Sequence, residues 1–371
     1  MGRCPLSEAF EIFASVQPGL EKTLADEMAE AGFGPLRIQT GGVAFDGTWP
    51  DVWRANLTLR GATRVLARIG GFRAFHLAQL DKRARKFDWA AMLRPDVPVK
   101  IEVATNRKSK IYHAGAAKQR IARAITDTLG TTIDDDASLR LLARIDDNLV
   151  TFSIDTSGEP LHKRGLKQAV NKAPMRETLA ANFLRMCGYN GDEPVLDPMC
   201  GSGTFLIEAG EIAAGNLAGR ARRFAFEDLA KFDADAFETL RAQGTIKAPV
   251  ALFGFDRDQG AIQMSKSNAE RAGHDLTLAC QPITDLKRPE GQPGLIIVNP
   301  PYGTRIGNRK LLFGLYAALG KVLRAEMTGW RVGLITSDPG LARETHLDFT
   351  QTSAPIDHGG TKVKLYQTGA I

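Results

Sequence analysis

A chain of 371 residues, 43% hydrophobic and 24% charged with a formal net charge of +6, is long enough for two or three cored domains and too apolar for a disordered one. No run spans a bilayer, and the start MGRCPLSEAFEIF carries acids, lacks a signal peptide's apolar core and has Leu6 where a myristoylation signal needs Ser or Thr, so the expected compartment is the cytoplasm. The four scattered cysteines (Cys4, Cys187, Cys200, Cys280) contain no CxxC pair and the six histidines no HxH or HExxH cluster, which fits neither a disulfide framework nor a zinc site, and no metal is expected.

In residues 1–50, EIFASV predicts a strand. PGLEKTLADEMAEAG predicts a helix with Pro18 near its start, Gly32 at its end, and Leu20, Leu24, Met28 and Ala31 on one face. Short strands follow around 37–39 and 43–45, on either side of Gly41-Gly42, giving a small α+β module.

Residues 51–155 form a second domain. ATRVLARIGGF and VPVKIEVAT predict strands, and GAAKQRIARAITDTLG an amphipathic helix with Ile121, Ile125 and Leu129 inward and Lys118, Arg120 and Arg123 outward. LRLLARID and NLVTFSID meet at Asp146-Asp147-Asn148, a hairpin signal. Charge is concentrated here: residues 54–124 hold 17 Lys and Arg against 4 Asp and Glu, whereas 1–53 and 125–371 are net −5 and −2. The segments DKRARK (Lys82, Arg83, Arg85, Lys86) and NRKSK (Arg107, Lys108, Lys110), with Lys118 and Arg120, are the expected nucleic-acid-binding cations. The plainer reading is a solvated basic surface; the clustering favours a polyanion. Sparse aromatics favour backbone or shape recognition over a stacking platform. Residues 156–172, polar and basic, are expected to be a linker.

From residue 173 to 371 strands and helices alternate, which predicts a doubly wound α/β sheet. PVLDPMCGSGTFLIEAGEIAA is strand, glycine loop, helix. It lacks the third glycine of a dinucleotide fingerprint and the GK[ST] of a P-loop. An acid, Asp197, precedes the turn containing Gly201 and Gly203, which suits a ligand with a cationic amino group better than a pyrophosphate. One strand later GFDRD offers Asp256 to the two hydroxyls of a ribose, with Asp258 as a helix N-cap. A nucleoside carrying an amino acid satisfies both acids, and S-adenosylmethionine is such a molecule.

GLIIVNPPYG is a buried strand ending in Asn299, Pro300, Pro301 and Tyr302. The prolines donate nothing, so the turn is rich in acceptors. The Asn299 side-chain oxygen and the Pro300 carbonyl suit the two N–H groups of an amine, and the Tyr302 ring offers a face for a base. A mere turn leaves the aromatic unexplained. Cys200 reads as a small loop residue, His162 as a linker contact, Lys163 and Arg164 as either phosphate contacts or structural cations, and Tyr366 as strand core.

DPMCGSGT with NPPYG resembles the class I amino-group methyltransferases. FASVQPGLEKTLADEMAEAG, RANLTLRGATRVLARIGGF, SGEPLHKRG and APMRETLAA extend the likeness over nearly the whole chain, to the THUMP-domain RNA guanine-N2 methyltransferases and most closely to the bacterial 23S rRNA enzymes. The resemblance implies a class I methyltransferase domain preceded by a ferredoxin-like module and a THUMP domain that hold RNA, as free 23S rRNA or a large-subunit assembly intermediate. It assigns Asp197, Gly201 and Gly203 to the methionine end of the cofactor and Asp256 to the ribose. Pro174 to Glu177, with Pro174 and Arg176, line the pocket, and Asn299, Pro300 and Tyr302 hold the flipped base. Two positions depart from it: Thr304 stands where the family has Glu, and Pro282 where it has an adenine-reading Asp, leaving Asp285 as the substitute. The motif alone does not separate guanine N2 from adenine N6, nor rRNA from tRNA. Methylation of a protein glutamine and a non-catalytic RNA-binding assembly factor are the readings from other classes; the basic domain opposes the first and the intact motif set the second.

Overall fold

The computed structural model describes residues 8–169, 174–243, 248–303 and 309–371. Cys4, Thr304 and residues 170–172 of the expected linker lie outside them. Two compact units are present, one made of Met1–Val16, Ala25–Leu161 and Arg222–Gln243, the other of Gln17–Leu24, His162–Ala221 and Gly244–Ile371.

The first unit is built on one seven-stranded sheet. In chain order its elements are β1 (Phe10–Ser15), β2 (Leu36–Gln39), β3 (Gly42–Gly47), α2 (Trp49–Thr58), β4 (Arg64–Arg73), α3 (Leu77–Ala84), β5 (Val99–Thr105), α4 (Ala114–Leu129), β6 (Leu139–Asp146) and β7 (Leu149–Asp155), with residues 25–30 of α1 (Glu21–Glu30) preceding β2. The strand order is β2-β3-β1-β4-β7-β6-β5. Pairing of β1 with β4 carries the sheet unbroken past residue 50, where the sequence suggests a boundary. Alternation explains the register: Val65 and Ala67 on β4, and Leu141, Ala143 and Ile145 on β6, point into the core between more exposed neighbours. The β6–β7 hairpin closes through Asp147 and Asn148, both at positive φ, as a two-residue turn of Asp-Asn type requires.

Two helices here are not among the elements expected from the sequence. α2 is started by a capping box, with the Asp51 carboxylate accepting from both the backbone N–H and the hydroxyl of Thr48 at 2.9 Å. α3 contains Lys82 and Arg83 in its last turn. Ala31, expected on the inner face of α1, lies past its end and is exposed, while Leu20, Leu24 and Met28 are fully buried.

The sequence also gives no sign that Arg222–Gln243, inside the expected methyltransferase stretch, belongs to the first unit. Phe224, Phe226, Phe232 and Phe237, the last on α7 (Ala234–Arg241), form one aromatic cluster with Trp53 of α2, with centroids 5.0–6.3 Å apart.

The second unit contains α5 (Glu177–Met186), β8 (Val195–Asp197), α6 (Thr204–Ala213), β9 (Leu252–Asp256), α8 (Gln259–Ala272), β10 (Thr277–Cys280), β11 (Leu295–Val298), α9 (Arg309–Glu326), β12 (Arg331–Thr336), α10 (Pro339–Glu344), β13 (Phe349–Thr352), β14 (Ile356–His358) and β15 (Thr361–Ala370). The sheet order is β10-β9-β8-β11-β12-β15-β13, with β14 paired to β15. β10 to β12 run parallel and β15 antiparallel, and the four residues of β11 are all buried, as a strand covered on both faces demands. Strand order reverses at β8, flanked by β9 and β11, and the crevice at its carboxyl end is where such sheets bind ligands.

Tight helix packing gives a stability test. A Cβ at Gly320 of α9 would lie 1.8 Å from the Thr345 carbonyl oxygen after α10. Gly320→Ala is expected to cost about 1–3 kcal/mol through forced displacement, read as a lower thermal unfolding midpoint.

Candidate active site and basic surface

β8 ends at Asp197 and β11 at Val298, so the two motifs leave neighbouring strands on either side of the switch point. Asp197 is 2% exposed and accepts the Met199 N–H at 3.0 Å. Burial pushes its carboxyl up to about 8, offset in part by that hydrogen bond and aided by the charge of Asp256. Such a carboxyl calls for a cation.

Gly201 and Gly203 both take positive φ, and a Cβ on Gly201 would meet nothing within 4 Å, so the loop backbone faces open space. Asp256, at the end of β9, is fixed by two backbone N–H groups, Gly201 on one oxygen and Asp258 on the other, each at 3.0 Å. Asp258 caps α8 through the Gly260 N–H at 2.8 Å, as expected. Asp285 lies exposed in a short 3-10 turn after β10, on the same carboxyl edge, and takes a hydrogen bond from the Thr284 hydroxyl. Pro282 caps that turn without a side-chain hydrogen bond.

The stretch expected as a linker is built into the units. Thr156 and Ser157 are fully buried in the first. In the second, Arg164 pairs with Glu208 of α6 at 3.4 Å, both nearly inaccessible. Asn268 of α8 accepts from the Gln168 and Ala169 N–H groups and donates to the Ala169 and Ser202 carbonyls. Lys167 bonds Glu177 at 3.1 Å, the Met175 carbonyl at 2.8 Å and the Thr204 hydroxyl at 3.1 Å. Residues 174–177 are thereby held at the first turn of α6, with Pro174 half-buried and Arg176 exposed as the N-cap of α5. Basic composition here serves internal pairing rather than a free tether. His162 is kept neutral, down to about 4, by burial and then by Arg176. Cys200 is buried beside Ser265, its thiol pushed up by burial, which suits the small loop residue expected.

Asn299 is half-buried, and its side-chain oxygen is inaccessible and without a hydrogen-bond partner among the described residues. Pro300 is buried. Tyr302 is 7% exposed, and its phenol lies 2.7 Å from His358 Nδ1. His358, Tyr316, Lys167 and Asn268 carry no sequence signal of a role here.

On the first unit, seven of the nine expected RNA-binding cations (Lys82, Arg83, Lys86, Arg107, Lys108, Lys110 and Arg120) are exposed. The other two are engaged: Arg85 pairs with Asp81 and Asp127 at 2.9 and 2.8 Å, and Lys118 with Asp135 at 2.5 Å. The loop after β5 meets the β6–β7 turn, where the Lys110 N–H bonds the Asn148 side chain. Two aromatics not singled out in the sequence stand exposed here: Tyr112, 68% accessible, and Phe75, 42%, the latter 5.7 Å from the Lys110 ammonium. Among the described residues no group of three His, Cys, Asp or Glu is placed to hold a metal, and no helix is long and apolar enough to cross a membrane.

Comparison with known proteins gives the family. The RMKL-like methyltransferase domain matches residues 164–354 and the RlmL ferredoxin-like domain residues 11–66. A Synechocystis sp. protein provisionally named an RNA methyltransferase is 32% identical over 369 residues, covering 95% of both chains. The ribosomal RNA large subunit methyltransferase K/L of Syntrophotalea carbinolica is 33% identical over 90% of this chain, which spans 50% of that protein. A provisionally named methyltransferase crystallised with SAH superposes with a TM-score of 0.85 at 25% identity, covering 98% of this chain and 99% of that one. A Listeria monocytogenes protein named a predicted N6-adenine-specific DNA methylase gives 0.85 at 28% identity, covering 98% and 97%. The buried Asp197, the braced Asp256 and the open glycine loop fit S-adenosylmethionine, and the chain belongs to the RMKL-like family of class I methyltransferases, with that molecule as its cofactor.

Proposed function

We propose that this protein methylates the exocyclic N2 amine of a guanine in RNA, with 23S rRNA or a large-subunit assembly intermediate in the cytoplasm as the substrate. The observation that carries the reading is the buried Asn299 oxygen, without a partner among the described residues, at the strand end next to Asp197. A buried acceptor without a donor costs about 1–3 kcal/mol, and such a cost is retained where a ligand removes it. When bound, S-adenosylmethionine supplies an electrophilic methyl group. Asp197 pairs with its amino group, Asp256 with the ribose hydroxyls, and residues 174–176 with Asp285 border the pocket. Asn299 and the Pro300 carbonyl accept the two amine protons and so orient the nitrogen lone pair, while Tyr302 supports the base. This is positioning and electrostatics, without a strong base.

The names of the Synechocystis and Syntrophotalea relatives support RNA, and rRNA, as substrate. The cluster of cations in residues 54–124 supports it independently, and we assign residues 51–155 of the first unit to a THUMP-type RNA-binding role. The adenine-N6 reading has one observation in its favour, the name given to the Listeria protein.

Nucleoside mass spectrometry after incubation with S-adenosylmethionine and unmodified 23S rRNA, tRNA or duplex DNA tests the reading. N2-methylguanosine in 23S rRNA is expected. N2-methylguanosine in tRNA moves the substrate, N6-methyladenine moves the base, and no transfer with cofactor bound leaves a binding protein.

The basic surface has its own test. Lys108→Ala with Lys110→Ala is expected to weaken RNA binding and lower the salt slope by about 0.7–0.9 for each phosphate no longer neutralised. Tyr112→Ala costs about 1–3 kcal/mol if a base stacks there and nothing if recognition is by backbone alone, which binding isotherms distinguish.

A further inference from the structure

Asn299 to Tyr302 is short of means to fix itself, because Pro300 and Pro301 have no N–H to donate. Side chains from elsewhere in the second unit brace it. Tyr316 of α9, fully buried, donates its hydroxyl to the Pro301 carbonyl at 3.3 Å. The Tyr302 phenol meets Nδ1 of His358 at 2.7 Å, with both residues less than 9% exposed. His358 is the last residue of β14, outside the main path of the sheet, and the chain reverses directly after it through Gly359 and Gly360, both at positive φ. The β14–β15 hairpin thus delivers an imidazole to the tyrosine of a motif 56 residues earlier.

We propose that His358 is a positioning residue for methyl transfer: by holding the phenol of Tyr302 it sets the plane of the ring against which the target base is placed. This rests on the reading of Asn299–Tyr302 as the base-holding segment. A free tyrosine side chain samples several rotamers, and ordering it on substrate arrival would cost binding energy; a ring fixed beforehand avoids that cost. The bond also commits the phenol to the imidazole, leaving Asn299 and the Pro300 carbonyl to take the amine protons.

The test compares Tyr302→Phe, which keeps the ring and loses the phenol, with His358→Leu, which loses the partner, and His358→Asn, whose amide stands near the place of Nδ1. Tyr302→Phe and His358→Leu are each expected to lower kcat about 10- to 100-fold, the scale of a misplaced reacting group. The double variant should be no worse than the poorer single, since both remove one interaction. His358→Asn should recover most of the loss, and the cofactor Kd should stay unchanged throughout. Full activity in His358→Leu, multiplying losses, an Asn variant as poor as the Leu one, or a changed cofactor Kd each overturns the proposal. Imidazole 15N NMR supplies a readout apart from activity: the His358 Nδ1 resonance is expected to shift in Tyr302→Phe, and an unshifted resonance denies the bond. If the wild type methylates nothing, the functional reading fails, while the spectrum still decides the brace.

Discussion

Replacing Asn299 by alanine is expected to lower kcat for methyl transfer about 10²- to 10³-fold, the usual loss when one preorganised hydrogen-bonding group is taken from a reacting centre. The cofactor Kd should hardly move, since Asp197 and Asp256 stand at the ends of other strands. Stability separates this from a structural role. The Asn299 oxygen is buried and unpartnered among the described residues, so its removal relieves a desolvated acceptor and the thermal midpoint should hold or rise. A midpoint that falls together with the activity would make Asn299 a packing residue, and the base-holding reading would go with it.

Why a candidate site can be marked out in the sequence follows from where its groups sit. Asp197, Gly201, Gly203 and Asp256 lie at the carboxyl ends of short apolar strands, and the strand-loop-helix pattern fixes that place before any packing is known. Asn299 to Tyr302 announce themselves for the same reason, as a proline-rich interruption of a buried strand. The doubly wound sheet is likewise legible from the alternation of strands and helices, because period and turn chemistry are local.

Groups that act from a distance had no such signal. His358 stands 56 residues from Tyr302 and is ordinary in its own hairpin. Lys167 sits in a basic stretch whose composition matches a solvated linker, and only its three partners around Met175 reveal a bolt. The assignment of Arg222–Gln243 to the first unit depends on Phe224, Phe226, Phe232 and Phe237 finding Trp53, a pairing that no local pattern encodes. Helix α3 is passed over because it is only eight residues long and its cationic end reads as a charge run, although Leu77, Leu80 and Ala84 recur at helical spacing and the last two are fully buried. In the basic block, Arg85 and Lys118 look like free cations until the fold brings Asp127 and Asp135 to them.

Cofactor affinity is expected to depend steeply on pH through Asp197. In the free protein its carboxyl is raised from the ordinary 3.8 to about 8, chiefly by burial, so below pH 8 it is held protonated. A carboxyl raised on folding makes the native state bind more protons than the unfolded chain. The stability of the free protein therefore falls as pH rises from the ordinary carboxylate range towards 8, and levels off beyond it. An ammonium placed against Asp197 reverses the balance, because it favours the ionised form. Binding below pH 8 must then expel a proton, and the affinity should improve about tenfold per pH unit between pH 6 and 8. Above pH 8 the α-amino group of the ligand itself loses its charge, so the affinity peaks near that pH. Asp197→Asn should bind about 10- to 100-fold more weakly at pH 8, for want of a charge-assisted bond, and its acid limb should be flat. Calorimetry at pH 7 in two buffers of different ionisation enthalpy reads the proton directly: close to one released in the wild type, none in the Asn variant. A wild-type affinity unchanged from pH 6 to 8 would mean that Asp197 is already ionised in the free protein or does not meet the amino group. The same calorimetry on Asp256→Asn, which removes the neighbouring charge that helps raise Asp197, should shift the acid limb to lower pH without abolishing it.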